Sequence, residues 1–131
     1  MKKINPTIIC ETIGTLAWLL MDFCWLSNYQ YMAKFSAVLA YVFLMCAFLF
    51  YKAPKWSEFL SYVASFLWCS MNSCWMMSDF SGDKSLLVWA KWIFVITALL
   101  SVWIIYLSKK ENEEINFITL LSLICLSSIF N

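Results

Sequence analysis

Five long apolar runs dominate this sequence of 131 residues and leave few ways for it to fold. An α-helix rises about 1.5 Å per residue, so about 20 residues are needed to cross a bilayer core of about 30 Å. The first, third and fourth runs reach that length, the second is at its lower limit, and the fifth is shorter. We therefore predict four membrane-spanning helices, with the fifth run forming either a short span or an interfacial or re-entrant helix. The runs cover approximately residues 7–26, 35–51, 56–77, 86–107 and 115–130.

The bulk composition supports residence in a membrane. Hydrophobic residues make up 63% of the chain and charged residues only 13%, whereas soluble domains carry about 25% charged residues. A water-soluble fold of this size could not bury so much apolar surface, and the runs lack the alternating pattern of barrel strands. The sequence predicts an all-α, polytopic transmembrane helical bundle that forms one integral membrane domain, residues 1–131, in contact with the lipid bilayer.

An internal repeat divides the bundle into two halves. The pattern W-x-x-M-D/N-x-C-W occurs at residues 18–25 and again at residues 68–75. Because Trp, Met and Cys are rare, we interpret this match as the duplication of a two-helix unit, with copies at about 7–51 and 56–107. Each copy crosses the membrane twice, so the two repeats should be parallel and related by an axis along the membrane normal. The short C-terminal apolar helix at 115–130 follows them.

A polar and aromatic stripe runs along the first predicted helix, and an equivalent stripe runs along the third. With successive residues rotated by about 100°, each set falls on one helical face. The first stripe is Glu11, Thr15, Trp18, Asp22 and Trp25, and the second is Ser61, Ser65, Trp68, Asn72 and Trp75.

The position of Asp22 in an apolar helix suggests a use for these stripes. A carboxylate in hydrocarbon is costly unless it faces protein, water or a partner, so we expect both stripes to face inward. They would form a polar path or substrate-binding site, with Asp22 as the charged member and Asn72 as its neutral counterpart. The alternative is a packing role, since interhelical hydrogen bonds contribute about 0.6 kcal/mol on average. Glu11 lies near a helix end, where its carboxylate could instead reach the membrane surface.

The repeated Met and Cys residues raise the question of a metal site. Met21 with Cys24, and Met71 with Cys74, recur at a spacing of i,i+3, and their sulfur atoms suit Cu(I). These residue types are also common in membrane helix packing, and Cys24 points about 160° away from Asp22. The packing interpretation is favoured, so neither a metal nor a cofactor is predicted. A Cys24–Cys74 disulfide is the other alternative, and it requires those two faces to meet.

Several classes of function are disfavoured by residues that the chain lacks. It contains no His, the commonest general base, and two Gly residues are too few for a phosphate-binding loop. Asp22 has no second carboxylate at its repeat position, so the sequence predicts no enzyme. The nine basic residues are scattered along the chain, which argues against a nucleic-acid partner.

The distribution of Lys predicts the orientation in a cell membrane. Six Lys residues fall on one side of the predicted helices and three on the other, which places the N-terminus in the cytoplasm and the connection at 79–83 outside. The first group is Lys2, Lys3, Lys52, Lys55, Lys109 and Lys110, and the second is Lys34, Lys84 and Lys91.

These patterns favour a small channel or transporter subunit with a polar path between the duplicated hairpins. Four helices can hardly enclose a wide water-filled path, so we expect a homo-oligomer or a partner membrane subunit. The alternative is a non-transporting membrane scaffold or assembly subunit of a larger complex.

Overall fold

The computed structural model describes residues 5–52 and 55–111, and the secondary structure in these ranges is entirely helical. The all-α prediction is therefore confirmed for this part of the chain. The apolar run at 115–130, together with Lys2 and Lys3, lies outside the described residues. The helices are α1 (Pro6–Leu26), α2 (Gln30–Phe50), α3 (Trp56–Ser81) and α4 (Lys84–Glu111).

Three of the helices, α1, α2 and α4, are long enough and apolar enough to cross a membrane. Helix α2 reaches 21 residues because it begins at Gln30, well before the apolar run at 35–51. Helix α3 has 26 residues and so has the length, but its composition is more polar, with serines at 57, 61, 65, 70 and 73. The sequence prediction of four spans is thus supported directly for three.

Small side chains line the contact between α1 and α2. Ala17 on α1 and Ala33, Ala40 and Ala47 on α2 are all buried. A Cβ atom placed on Gly14 would lie 3.3 Å from both the side chain and the backbone nitrogen of Leu44. Small residues of this kind let two helix backbones approach closely, which is how helices associate in lipid. The Thr7 hydroxyl also donates to the carbonyl of Phe50 at 3.0 Å and ties the far ends of the hairpin together.

The buried polar residues of α3 and α4 are mainly hydroxyls that bond within their own helix. Ser65 donates to the carbonyl of Ser61 at 3.0 Å, and Thr97 donates to that of Ile93 at 2.8 Å. Ser101 likewise donates to the carbonyl of Thr97 at 2.8 Å. Their hydrogen-bonding needs are met locally, so these residues can be buried at little cost.

Helix α3 is the central element, since it contacts all three of the other helices. Its contact with α2 is aromatic: the ring centroids of Tyr41 and Phe66 are 5.2 Å apart, and those of Phe48 and Phe59 are 5.4 Å apart. Within the described ranges, the backbones of α1 and α4 do not come into contact. The bundle therefore consists of two hairpins, α1–α2 and α3–α4, joined through α3.

Two tight turns reverse the chain at one end of the bundle, called here the turn end. After α1, Asn28 adopts φ 61°, and the Tyr29 N–H donates to the carbonyl of Cys24 at 2.8 Å. This arrangement is a Schellman motif, in which Asn tolerates the left-handed conformation better than most residues. After α3, Gly82 takes the same role with φ 73°.

The connection expected at 79–83 is shorter than the sequence suggested, because α3 continues through Ser81 before the Gly82 turn. Asp83 then precedes α4, and its carboxylate accepts a hydrogen bond from the Ser85 backbone N–H at 2.9 Å. Hydrogen bonds from the Ser85 side chain and backbone hold the pKa of Asp83 below its usual value, because they favour the ionised form.

We expect Gly14→Ile to weaken the α1–α2 hairpin, because the new side chain must displace Leu44. Overpacking of this kind costs about 1–3 kcal/mol. The measurement is the free energy of unfolding in lipid bicelles. Thr12→Ile is the matched control, since Thr12 is on α1 but exposed, and equal destabilisation by the two variants would contradict the packing described here.

Candidate functional site between helices α1 and α3

Two pairs of tryptophans hold α1 and α3 side by side. The ring centroids of Trp18 and Trp68 are 6.5 Å apart in an edge-to-face arrangement, and those of Trp25 and Trp75 are 6.2 Å apart. Trp18 and Trp68 are only 6% and 7% exposed. Each pair joins the same position of the two W-x-x-M-D/N-x-C-W motifs. Because the pairs follow the same order along both helices, α1 and α3 run in the same direction.

The polar residues of the motif lie between these two aromatic layers along the helix axes. On each helix the two Trp positions are offset by seven residues, which corresponds to about 10 Å along the helix axis. Asp22 lies one turn above Trp18, and Asn72 lies one turn above Trp68, so both lie between the layers. We call this arrangement the tryptophan-bounded site. It consists of Trp18, Asp22, Trp25, Trp68, Asn72 and Trp75.

Three polar atoms of this site are buried without a hydrogen-bond partner in the described part of the chain. They are Oδ1 of Asp22 and the indole Nε1 atoms of Trp18 and Trp68. Leaving such a group unpaired costs about 1–3 kcal/mol, more when it is charged. Asp22 also lies near enough to Cys69 of α3 for the two side chains to interact electrostatically. The site thus combines an unpaired carboxylate oxygen with two unpaired N–H donors.

At the turn end of the site, a hydrogen bond links α1 and α3. Nε1 of Trp25 donates to Oδ2 of Asp79 at 3.1 Å. Beside it, the ammonium group of Lys34 lies 5.9 Å from the ring centroid of Phe80, within the range of a cation–π contact. The first contact joins the Trp25–Trp75 layer to the last turns of α3, and the second joins α2 to α3.

At the opposite end of the α1–α3 contact, Glu11 has a partner. The hydroxyl of Tyr62 donates to Oε2 of Glu11 at 3.4 Å. The Thr15 hydroxyl donates to the backbone carbonyl of Glu11 at 2.9 Å, and that of Ser61 donates to Ser57 in the same way. Glu11 therefore differs from Asp22, which has a buried oxygen without a partner.

The sulfur-containing residues are placed for packing. Met21 is fully buried, and the Ser73 hydroxyl lies 3.8 Å from its sulfur atom. Cys24 and Cys74 are both free thiols, and Met71 is buried in the same core. Across residues 5–52 and 55–111, no group of three or more Cys, Asp or Glu side chains is arranged to hold a metal ion.

The structure brings most of the sequence-selected residues together and also adds others. The four tryptophans meet in two pairs between α1 and α3, and Asp22 and Asn72 each lie one turn along the helix from the Trp18–Trp68 pair. The hydroxyls of Thr15, Ser61 and Ser65 instead bond within their own helices. Sequence reasoning did not select Tyr62, Cys69, Ser73 or Asp79. Asp79 would have been found if α3 had been continued by one turn, and Tyr62 is adjacent to Ser61 on the polar stripe.

No family model, curated protein or solved structure matches this chain. A function must therefore be argued from the site itself.

The Trp18–Trp68 contact can be measured with a double-mutant cycle. We expect Trp18→Leu and Trp68→Leu to show a coupling free energy of about 0.5–1.5 kcal/mol, because each ring loses its aromatic partner in either single variant. The measurement is unfolding in bicelles. Trp18→Leu combined with Trp89→Leu is the control, since Trp89 is 64% exposed on α4, and its effect should be additive. Additivity of the Trp18 and Trp68 variants would show that the two rings do not interact.

Proposed function

We propose that this protein is a small channel or transporter subunit whose polar path runs between α1 and α3. The observation that supports this most strongly is the buried, unpaired Oδ1 of Asp22. Ionisable residues inside membrane helices are expensive and usually mark the route of an ion, a proton or a substrate. The unpaired indole N–H groups of Trp18 and Trp68 add further capacity to bind a transported species.

Duplication of a two-helix unit is part of this proposal. Helices α1 and α3 begin at Pro6 and Trp56, the same offset that separates the two tryptophan motifs. Gly14 and its counterpart Ala64 are both buried, as are Ala40 and its counterpart Ala90. These matches support parallel repeats in one polytopic bundle.

The proposal requires α3 to cross the membrane as well. At about 1.5 Å per residue, its 26 residues exceed the thickness of the hydrocarbon core. Its more polar residues Ser57, Ser61, Ser65 and Asn72 are all buried. A polar helix is tolerated in a membrane when its polar side chains face protein rather than lipid. We place this bundle in a cell membrane with a cytoplasmic N-terminus, following the Lys distribution.

A further subunit fits the open side of the bundle. Since the backbones of α1 and α4 do not meet in the described ranges, the α1–α3 contact is not enclosed by a ring of four helices. A second copy of the chain, or a partner membrane subunit, would complete the enclosure of a path there.

A different function is supported by the outer surface of α4. Trp89, Trp92 and Trp103 are 64%, 62% and 56% exposed, and large aromatic side chains of this kind are favoured at protein interfaces. A non-transporting scaffold or assembly subunit would use this surface to dock other membrane helices, and the tryptophan-bounded site would then only stabilise the bundle.

Replacement of Asp22 distinguishes these functions. In proteoliposomes, we expect the native protein to carry a flux of protons, potassium or choline, and Asp22→Asn to lower it by about tenfold or more, because the charge is lost while the shape is kept. Glu58→Gln is the control, since Glu58 is an exposed carboxylate on α3.

Circular dichroism and the oligomer size of Asp22→Asn should match those of the native protein. Absence of any flux through the native protein, or an unchanged flux in Asp22→Asn, would contradict the transport proposal. Loss of folding in Asp22→Asn would instead indicate the packing role.

A further inference from the structure

We propose that the tryptophan-bounded site binds a small organic cation, a quaternary or protonated amine, with Asp22 as the counter-ion and the indole rings as the walls. This inference rests on the proposed function, because it names the class of substrate for the same site.

The charge of the site calls for a cation. Neither Pro6–Leu26 nor Trp56–Ser81 contains a basic residue, so the two helices that form the site supply no positive partner for Asp22. The nearest basic residue along the chain from Asp22 is Lys34, whose ammonium group lies against Phe80. A carboxylate within an apolar bundle is stabilised by an opposite charge, and a cationic ligand would provide it.

The walls of the site favour an organic cation over a metal ion. Trp is the best aromatic partner for a cation, and recognition of quaternary ammonium groups by aromatic cages is the best-known use of this contact. Trp18 and Trp68 meet edge to face and both rings are buried, so a cation would reach an indole face by displacing a neighbouring side chain. Hard metal ions instead require six or more oxygen ligands, whereas Asp22 and Asn72 are the oxygen-bearing side chains among the six residues of this site.

The dimensions and hydrogen-bonding groups limit the ligand further. The two aromatic layers are about 10 Å apart along the helix axis. The buried Met21 side chain lies at the same level, so the site suits a compact amine rather than an extended molecule. The unpaired N–H groups of Trp18 and Trp68 are donors, so they match a ligand that also carries a hydroxyl or carbonyl oxygen. Asp22 is half-buried as a residue, whereas its Oδ1 atom is buried.

Choline and its uncharged isostere 3,3-dimethyl-1-butanol test this inference directly, because they share shape and hydroxyl group and differ in charge. Binding is measured by equilibrium dialysis with the full-length protein in dodecyl maltoside. We expect choline to bind about tenfold more tightly than the isostere, or better, as charge recognition by a carboxylate and an aromatic cage requires.

Variants of the site residues test whether choline binds at the tryptophan-bounded site. Asp22→Asn should remove the preference for choline, Asp22→Glu should keep part of it, and Trp68→Leu should weaken it. Asn72→Asp should tighten choline binding, because it adds a second carboxylate between the aromatic layers. This gain of affinity cannot result from misfolding. Equal binding of choline and the isostere, or an unchanged preference in Asp22→Asn with no gain in Asn72→Asp, would overturn the inference.

Failure of this inference can be told apart from failure of the transport proposal. Choline binding that depends on Asp22, without any flux in proteoliposomes, would support the cation site and contradict transport. Proton or potassium flux that depends on Asp22, without choline binding, would support transport and overturn the cation site.

Discussion

Asp22 places a carboxylate toward the C-terminal end of α1, a mainly apolar helix that also contains Glu11, and the arrangement of the bundle accommodates it. Helices α1 and α3 contain no basic residue that could neutralise it. The face of α1 that carries Asp22 therefore has to meet protein, and α3 provides that surface through Trp68 and Trp75. Leu16 and Phe23 lie about 120° and 100° around α1 from Asp22 and are exposed, so they are suited to lipid.

The central position of α3 follows from the same constraint. It is the most polar of the four helices, and contact with α1, α2 and α4 keeps many of its polar side chains away from the bundle surface. Small residues such as Gly14 allow the close helix contacts that this requires. Local hydroxyl bonds satisfy most buried polar groups. Among the described residues, the unpaired buried side-chain atoms are those of Asp22, Trp18 and Trp68 in the site and Ser36 on α2. In the function proposed above, a ligand or transported species would bind the unpaired atoms of the site.

Much of this arrangement could be predicted from the sequence, because the signals were periodic. The stripes containing Trp18 and Trp68 identified the two faces that meet, and apolar run lengths located all four helices. Helix ends were less predictable, since α2 begins at Gln30 and α3 continues to Ser81. An apolar run stops at the first polar residues, whereas a helix can continue through them. The sequence did not predict Tyr62 as the partner of Glu11 or Asp79 as the partner of Trp25. Contacts between helices depend on side-chain direction and on exact helix length, which an apolar run does not give.

We infer that the face of α1 that carries Asp22 is turned toward α3 and away from lipid. Nitroxide scanning of α1 in liposomes tests it most directly, with each position compared for collision with oxygen in lipid and with a nickel chelate in water. We expect high oxygen accessibility at Leu16 and Phe23, which are 61% and 64% exposed, and low oxygen accessibility at positions 18 and 22. We also expect position 22 to react with the nickel chelate more than its lipid-facing neighbours do. Oxygen accessibility at position 22 equal to that at Phe23 would contradict the account.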